Sequence, residues 1–188
     1  MTATPAPAAT PSRTVPSARA AAPDGAAGPE LLRSAFRRHA AGVAVVTAPG
    51  GAAHGGGPVG FTASSLTSVS ADPPLLSFGI GTGSSSWPAV RAATHVGVHL
   101  LREQQHELAA TFARSGADRF AAPTRWRTGP EGVPVLDGVL AWLVCRIVGR
   151  VPAGDHRIVV AEVVTGDPAA SAGRPLLYHH GRFNALRD

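Results

Sequence analysis

The sequence predicts a mainly β domain with α decorations, folded as an antiparallel barrel carrying a few helices. Three observations lead there. About seven β-rich runs lie between residues 43 and 179, bounded by turn residues. They do not alternate regularly with helical segments, as a doubly wound sheet would require. The 22 glycines and 17 prolines supply frequent turns. At 188 residues, 44% of them apolar and 15% charged, the chain has enough apolar surface for one core and too little length for two comfortable domains. No uninterrupted apolar run approaches the roughly 20 residues that span a bilayer, so no membrane is expected.

Residues 1–29 are almost entirely Ala, Pro, Thr, Ser and Gly. Such a segment has little to bury, and ordering entropy should leave it a disordered Ala/Pro-rich tail before a domain over 30–188. It lacks the apolar centre of a signal peptide, and Arg37-Arg38 lies too far inside the chain for a twin-arginine signal. Leu31, Leu32, Ala35, Phe36 and His39 recur at helical spacing, with Gly42 as the stop. Residues 43–47 read as a strand. Residues 49–58, with five glycines, read as a long hairpin tip around His54, and 59–63 return as a second strand. A third strand over 75–80 is entered through Pro73-Pro74. A short helix over 88–93 and a fourth strand over 95–101 follow. Residues 103–114 form the clearest helix, with Leu101, Leu108 and Phe112 on one face and Arg102, Glu103 and Glu107 toward water. Two long runs, 139–151 and 157–165, are joined by a turn over 152–156, and 176–179 is a last short strand.

Charge and motif spacing exclude several functions. The net charge is +5, yet all 17 basic residues are Arg, scattered, with no longer run than Arg37-Arg38. A nucleic-acid binder shows a clustered footprint, so nucleic acid is not an expected partner. The single cysteine, Cys145, excludes an internal disulfide and a Cys-rich zinc site, and suits a reducing cytoplasm. Gly79-Ile80-Gly81-Thr82-Gly83-Ser84 follows a strand but lacks the third glycine and the βαβ setting of a dinucleotide fingerprint. With no lysine there is no Walker A loop. Ala110 stands where the second histidine of a zinc-protease helix would follow His106-Glu107, and a Gly-x-Ser-x-Gly elbow is absent. No metal is expected.

The informative stretch is 60–76, crowded with small hydroxyl residues between a strand end and a Pro-Pro turn. Small side chains let a flat ligand approach the backbone, where N–H groups and hydroxyls can bond polar ring atoms or phosphate oxygens. A second cluster, Thr82-Gly83-Ser84-Ser85-Ser86, precedes the short helix at Pro88, a position suited to an anion. Taken singly, each is more often a plain polar turn.

In order, the motifs resemble the short-chain flavin reductases, the reductase components of two-component flavin-dependent monooxygenases, which fold as FMN-binding split barrels. The resemblance rests on Ala41-Gly42-Val43-Ala44-Val45-Val46-Thr47, Gly60-Phe61-Thr62-Ala63-Ser64-Ser65, Ser68-Val69-Ser70-Ala71-Asp72-Pro73-Pro74-Leu75 and the Ser84-Ser85-Ser86 turn. It continues through His99-Leu100-Leu101, Leu108-Ala109-Ala110-Thr111-Phe112-Ala113, Asp118-Arg119-Phe120, Gly154-Asp155-His156 and Pro175-Leu176-Leu177-Tyr178. It implies an antiparallel split β-barrel, a homodimer, FMN or FAD bound without covalent attachment, NADH or NADPH as donor, and a partner monooxygenase. By position, Thr62, Ala63, Ser64 and Ser65 would lie against the isoalloxazine ring. Thr82, Ser84, Ser85 and Ser86 would meet the ribityl phosphate. His156 would stand beside the nicotinamide, with Tyr178 on a strand near the same site. Ser64 replaces an Asn common among relatives, and Thr82 with its glycine neighbours replaces bulkier residues.

Hydride transfer requires nicotinamide C4 stacked on flavin N5, so positioning does most of the catalysis. Donors around residues 62–65 would stabilise charge developing on the flavin. Arg119 reads either as half of an ion pair beside a core aromatic or as a forked donor to a phosphate. Trp87 and Trp126 read as core before ring covers. Two rivals on the same barrel are a non-catalytic flavin- or haem-binding protein and a pyridoxal-phosphate oxidase. The absence of lysine and of basic clusters weighs against the second.

Overall fold

A computed structural model describes residues 27–51 and 56–186. The tail up to residue 26 and the glycine-rich insert around His54 lie outside the described residues.

Antiparallel pairing of β-branched runs builds the main sheet. Strands β2 (Ala44–Ala48), β3 (Val59–Ala63), β4 (Thr67–Ala71), β5 (Pro74–Gly81), β6 (His95–Leu100), β9 (Ala141–Ala153) and β10 (His156–Asp167) join in the order β3-β2-β6-β9-β10-β5-β4. Every neighbouring pair is antiparallel. The sheet curls until β3 faces β5, where the Phe61 and Phe78 rings sit 6.1 Å apart. That seam between strands that do not pair is the split of the barrel. Val46, Val96, Val98, Phe78, Ile80, Val159 and Ala161 fill the interior.

Strands β1 (Ala41–Gly42), β11 (Leu176–His179) and β12 (Arg182–Ala185) form a small sheet, and β7 (Trp126–Thr128) pairs with β8 (Pro134–Leu136). A second core lies between these pieces and helix α3 (His106–Ala113), with Leu101, Phe112, Leu136 and Leu176 buried in it. Phe120 stands edge-on to both Phe112 and Trp126, at 5.2 and 5.3 Å. Trp126 and Trp87 are therefore packing residues, as their size suggests.

Several elements differ from the sequence reading. Helix α1 (Ala27–Arg37) starts before residue 30, ends before Gly42, and is followed by β1, so Gly42 is a strand residue and not a helix stop. The helix expected over 103–114 is a 3-10 turn at Glu103–Gln105 followed by α3, because Gln105 has non-helical angles and its side chain accepts the Arg102 N–H. Strand β4 was hidden in the hydroxyl-rich stretch. It is a largely exposed edge strand, and without a buried face it shows no apolar alternation. The long hairpin is tighter than expected, turning through Gly154 at φ +60° and Asp155, so that His156 opens β10.

Candidate functional site

The C-terminal ends of β3 and β5 border a cavity of about 550 Å³ at the barrel split. β3 and the segment after it supply Phe61, Thr62, Ala63, Ser64 and Ser65; β5 and the turn after it supply Gly79, Gly81, Gly83, Ser84 and Ser85. The remaining wall is the end of α3 with Ser115 and Arg119, and His156 closes one side. Eight of the eleven residues proposed from sequence thus meet around one space: Thr62, Ala63, Ser64, Ser65, Ser84, Ser85, Arg119 and His156.

Close packing fixes this geometry. A Cβ on Gly60 would lie 2.7 Å from Phe112 Cε1 and 3.0 Å from the Val46 carbonyl, so only glycine lets α3 sit this close to β3. Thr62 Oγ1 donates to the Ala109 carbonyl at 2.6 Å, pinning the same helix. Thr62 therefore lines the cavity with its hydroxyl proton already committed. Ser65 Oγ accepts the Gly79 N–H at 2.8 Å and ties the two sides of the split together.

The second hydroxyl cluster divides. Ser86 is fully buried and donates to the Gly60 carbonyl at 3.0 Å, which makes it structural. Thr82 binds the Asp155 carbonyl through its N–H and its hydroxyl, at 2.8 and 3.0 Å, clamping the β9–β10 turn. Neither lines the cavity. Helix α2 (Trp87–Ala92) is short, and the Ser86 N–H that precedes it is taken by Ser84 Oγ at 3.3 Å. The anion-binding character lies instead with Arg119. Its Nη1 donates to Ser85 Oγ at 3.3 Å and Ser86 Oγ at 3.5 Å, and its Nη2 to the Arg114 carbonyl at 2.8 Å. Its Nε is buried without a partner among the described residues. Desolvation lowers the guanidinium pKa from its ordinary value, and an anion would relieve that cost. Asp118 forms no ion pair with Arg119 among the described residues; it accepts the Ala121 N–H at 3.2 Å.

His156 pairs with Gly81 across β10 and β5, and its Nε2–Cε1 edge comes within 3.7–3.8 Å of where a Gly81 Cβ would stand. Its Nδ1 is 2.7 Å from Asp155 Oδ1. The hydrogen bond and charge of His156 hold the Asp155 carboxyl below its usual range. With Nδ1 engaged by a carboxylate, Nε2 is the ring nitrogen turned to the glycine-lined wall. Tyr178 does not line this cavity. It lies on β11, edge-on to Phe183, beside two adjoining cavities that share Ser64 with the first.

Sequence reasoning missed the glycine wall at Gly79 and Gly81, and also Ser115. The signal was present in the Gly-x-Gly-x-Gly pattern, tested there only as a dinucleotide fingerprint. A smooth, donor-rich slot bounded by a half-buried arginine and an exposed imidazole suits a flat ring bearing a phosphate, with a second ring entering beside the histidine.

Residues 36–187 match the family described as flavin reductase like domain. The NADH:FMN oxidoreductase of Rhodococcus qingshengii is 45% identical over 172 residues, which cover 86% of this chain and 88% of that protein. The reductase component of 4-nitrophenol 4-monooxygenase/4-nitrocatechol 2-monooxygenase from Rhodococcus opacus is 40% identical over 154 residues, 81% of this chain and 78% of that one. A flavin reductase domain protein from Arthrobacter sp. FB24 has a crystal structure that superposes with a TM-score of 0.78 at 42% identity, covering 85% of this chain and 96% of that chain.

Proposed function

The chain belongs to the flavin reductase-like domain family, and on that premise we propose that the cavity at the barrel split is its flavin site. It is an NAD(P)H:flavin oxidoreductase, reducing FMN or FAD and supplying reduced flavin to a partner monooxygenase. Relatives named as flavin reductases or reductase components support this reading over a non-catalytic flavin or haem carrier.

The observation that carries the site assignment is the buried Nε of Arg119, without a partner among the described residues, beside Ser85 in a cavity whose β3 and β5 walls are rich in Gly, Ala and Ser. In this reading Ala63, Ser64 and Ser65 lie along the isoalloxazine ring, and Ser84, Ser85 and Arg119 hold the phosphate. Thr62 shapes the wall and holds α3, while Ser86 and Thr82 act from behind it. Flavin held there would supply the two-electron acceptor for hydride from the nicotinamide donor, with one proton closing the balance. His156, oriented by Asp155, donates or accepts at Nε2 toward the nicotinamide carboxamide. Positioning and charge stabilisation are then the protein's whole contribution.

The same proposal makes the working molecule a homodimer. Leu31, Leu32 and Phe36 on α1 are 69%, 60% and 64% exposed. An eleven-residue helix is marginal in water without a packed face. Phe36 borders a cavity that also contains Ser64 and Ser65, so a second copy covering α1 would complete a wall behind the flavin segment. We also assign the protein to the cytoplasm, which the lone, buried Cys145 suits. Among the described residues no helix is long and apolar enough to cross a membrane.

Anaerobic stopped-flow mixing of the FMN-loaded protein with NADH is the test. Bleaching of the flavin spectrum at a rate that saturates with NADH is expected. Tight FMN binding without reduction by NADH or NADPH would refute the assigned chemistry at this site.

A further inference from the structure

The cavity assigned to flavin is not isolated. Thr62, Ser64 and Ala113 form a wall shared with a second cavity of about 540 Å³. On its far side stand Tyr178 and Phe183, from the β11–β12 hairpin, with ring centroids 5.5 Å apart. Two guanidinium-bearing residues complete it, Arg114 after the end of α3 and Arg182 at the start of β12, and no Asp or Glu among the described residues lines it. Both arginines are exposed.

This lining has a definite chemistry. Partly exposed aromatic rings offer stacking or edge contacts to a flat heterocycle, and two arginines without a carboxylate between them favour an anion. A hydrogen bond also links a residue of one lining to a residue of the other. Arg119, assigned above to the flavin phosphate, donates through Nη2 to the carbonyl of Arg114, whose residue lines the second cavity. A second phosphate attached to the first, passing over the shared wall of Thr62, Ser64 and Ala113, would enter a space lined by Arg114 and Arg182. A ring carried beyond it would reach Tyr178 and Phe183.

We propose that this second cavity is a subsite for the adenosine-phosphate arm of a dinucleotide, that of FAD or that of the nicotinamide donor, held by Arg114, Arg182 and the Tyr178–Phe183 pair. The inference rests on the flavin reading of the first cavity. It gives the protein a means of distinguishing dinucleotides from mononucleotides that the first cavity lacks.

The test compares Arg114→Gln, Arg182→Gln and the double variant with the parent protein. Fluorescence titrations give the affinities for FMN and FAD, and steady-state assays give KM for NADH and for reduced nicotinamide mononucleotide. Melting temperatures check folding. Loss of charge-assisted contacts should weaken one dinucleotide by about 10- to 100-fold in the double variant. FMN and the reduced mononucleotide should stay within about twofold of the parent, because they lack the arm. A loss confined to FAD assigns the arm to the flavin; a loss confined to NADH assigns it to the donor. Unchanged affinity for both dinucleotides overturns the proposal. So does an equal loss for the mononucleotides, since the arginines would then serve the first cavity or the fold. Arg119→Ala, measured alongside, reports on the flavin reading separately. If FMN binding is indifferent to that change, the placement of flavin fails whatever the dinucleotides do.

Discussion

Replacing Arg119 by Ala tests the site assignment most directly, because its expected effect differs between two ligands that share a ring. Arg119 holds Ser85, Ser86 and the Arg114 carbonyl through its terminal nitrogens and leaves Nε buried without a partner among the described residues. A phosphate placed there gains at least one charge-assisted hydrogen bond, worth about 1.5–3 kcal/mol. That corresponds to about a 10- to 150-fold loss of FMN affinity in Arg119→Ala. Riboflavin has the same isoalloxazine ring and no phosphate, so its affinity should be nearly unchanged. The substitution also removes three bonds within the protein, which should lower stability by about 1 kcal/mol and is read separately from the melting curve. Quenching of flavin fluorescence, titrated with FMN and with riboflavin against both proteins, gives the four affinities needed. Equal losses for FMN and riboflavin would mean that Arg119 only holds the loop. No loss for either would place the phosphate elsewhere and refute the reasoning.

Four further outcomes follow from the structure. His156→Ala should raise KM for NAD(P)H or slow flavin reduction by about 5- to 150-fold while barely changing FMN affinity; stopped-flow reduction with a parallel FMN titration checks both halves. His99 is fully buried, and its desolvation, only partly offset by the Nδ1 bond to the Val45 carbonyl, lowers its pKa from 6.5 to about 4. The unfolded chain therefore binds the extra proton first, and stability should fall as pH drops from about 6.5, by about 3 kcal/mol near pH 4. Urea unfolding at a series of pH values, with His99→Gln as the non-titrating comparison, would show the same slope in both proteins if His99 were not the cause. Gly60→Ala drives a Cβ toward Phe112 and the Val46 carbonyl, and should cost about 1–3 kcal/mol in thermal or urea unfolding. Sedimentation should find a dimer in the parent and a monomer after Leu32→Glu with Phe36→Glu; an active parent monomer at assay concentration would remove the dimer from the proposal.

Much of the fold was legible because its long strands are built from β-branched runs. Residues 44–48, 95–100, 141–153 and 156–167 form strands close to where the pattern puts them. The strands that escaped are short or lie at an edge. Thr67–Ala71 pairs only with β5, and Trp126–Thr128, Pro134–Leu136 and Arg182–Ala185 span three or four residues each, too few to show a period. The site followed the same division. That a hydroxyl-rich strand end, a serine turn, an arginine and a Gly-Asp-His turn belong together could be read from motif order by resemblance. Which hydroxyls face the cavity could not.

The sequence by itself determined the barrel class and singled out most of the segments that line the cavity, because each depends on side-chain composition over a few adjacent residues. Only the tertiary structure decided that Ser86 is buried under Gly60, that Thr62 is engaged by α3, that Thr82 clamps a turn 73 positions away, and that Tyr178 faces a neighbouring cavity. It also leaves Leu31, Leu32 and Phe36 of α1 exposed among the described residues. A hydroxyl or a guanidinium has several possible partners of similar energy, and the choice among them depends on groups brought close by distant strand pairing. Local sequence carries the first kind of information and cannot carry the second.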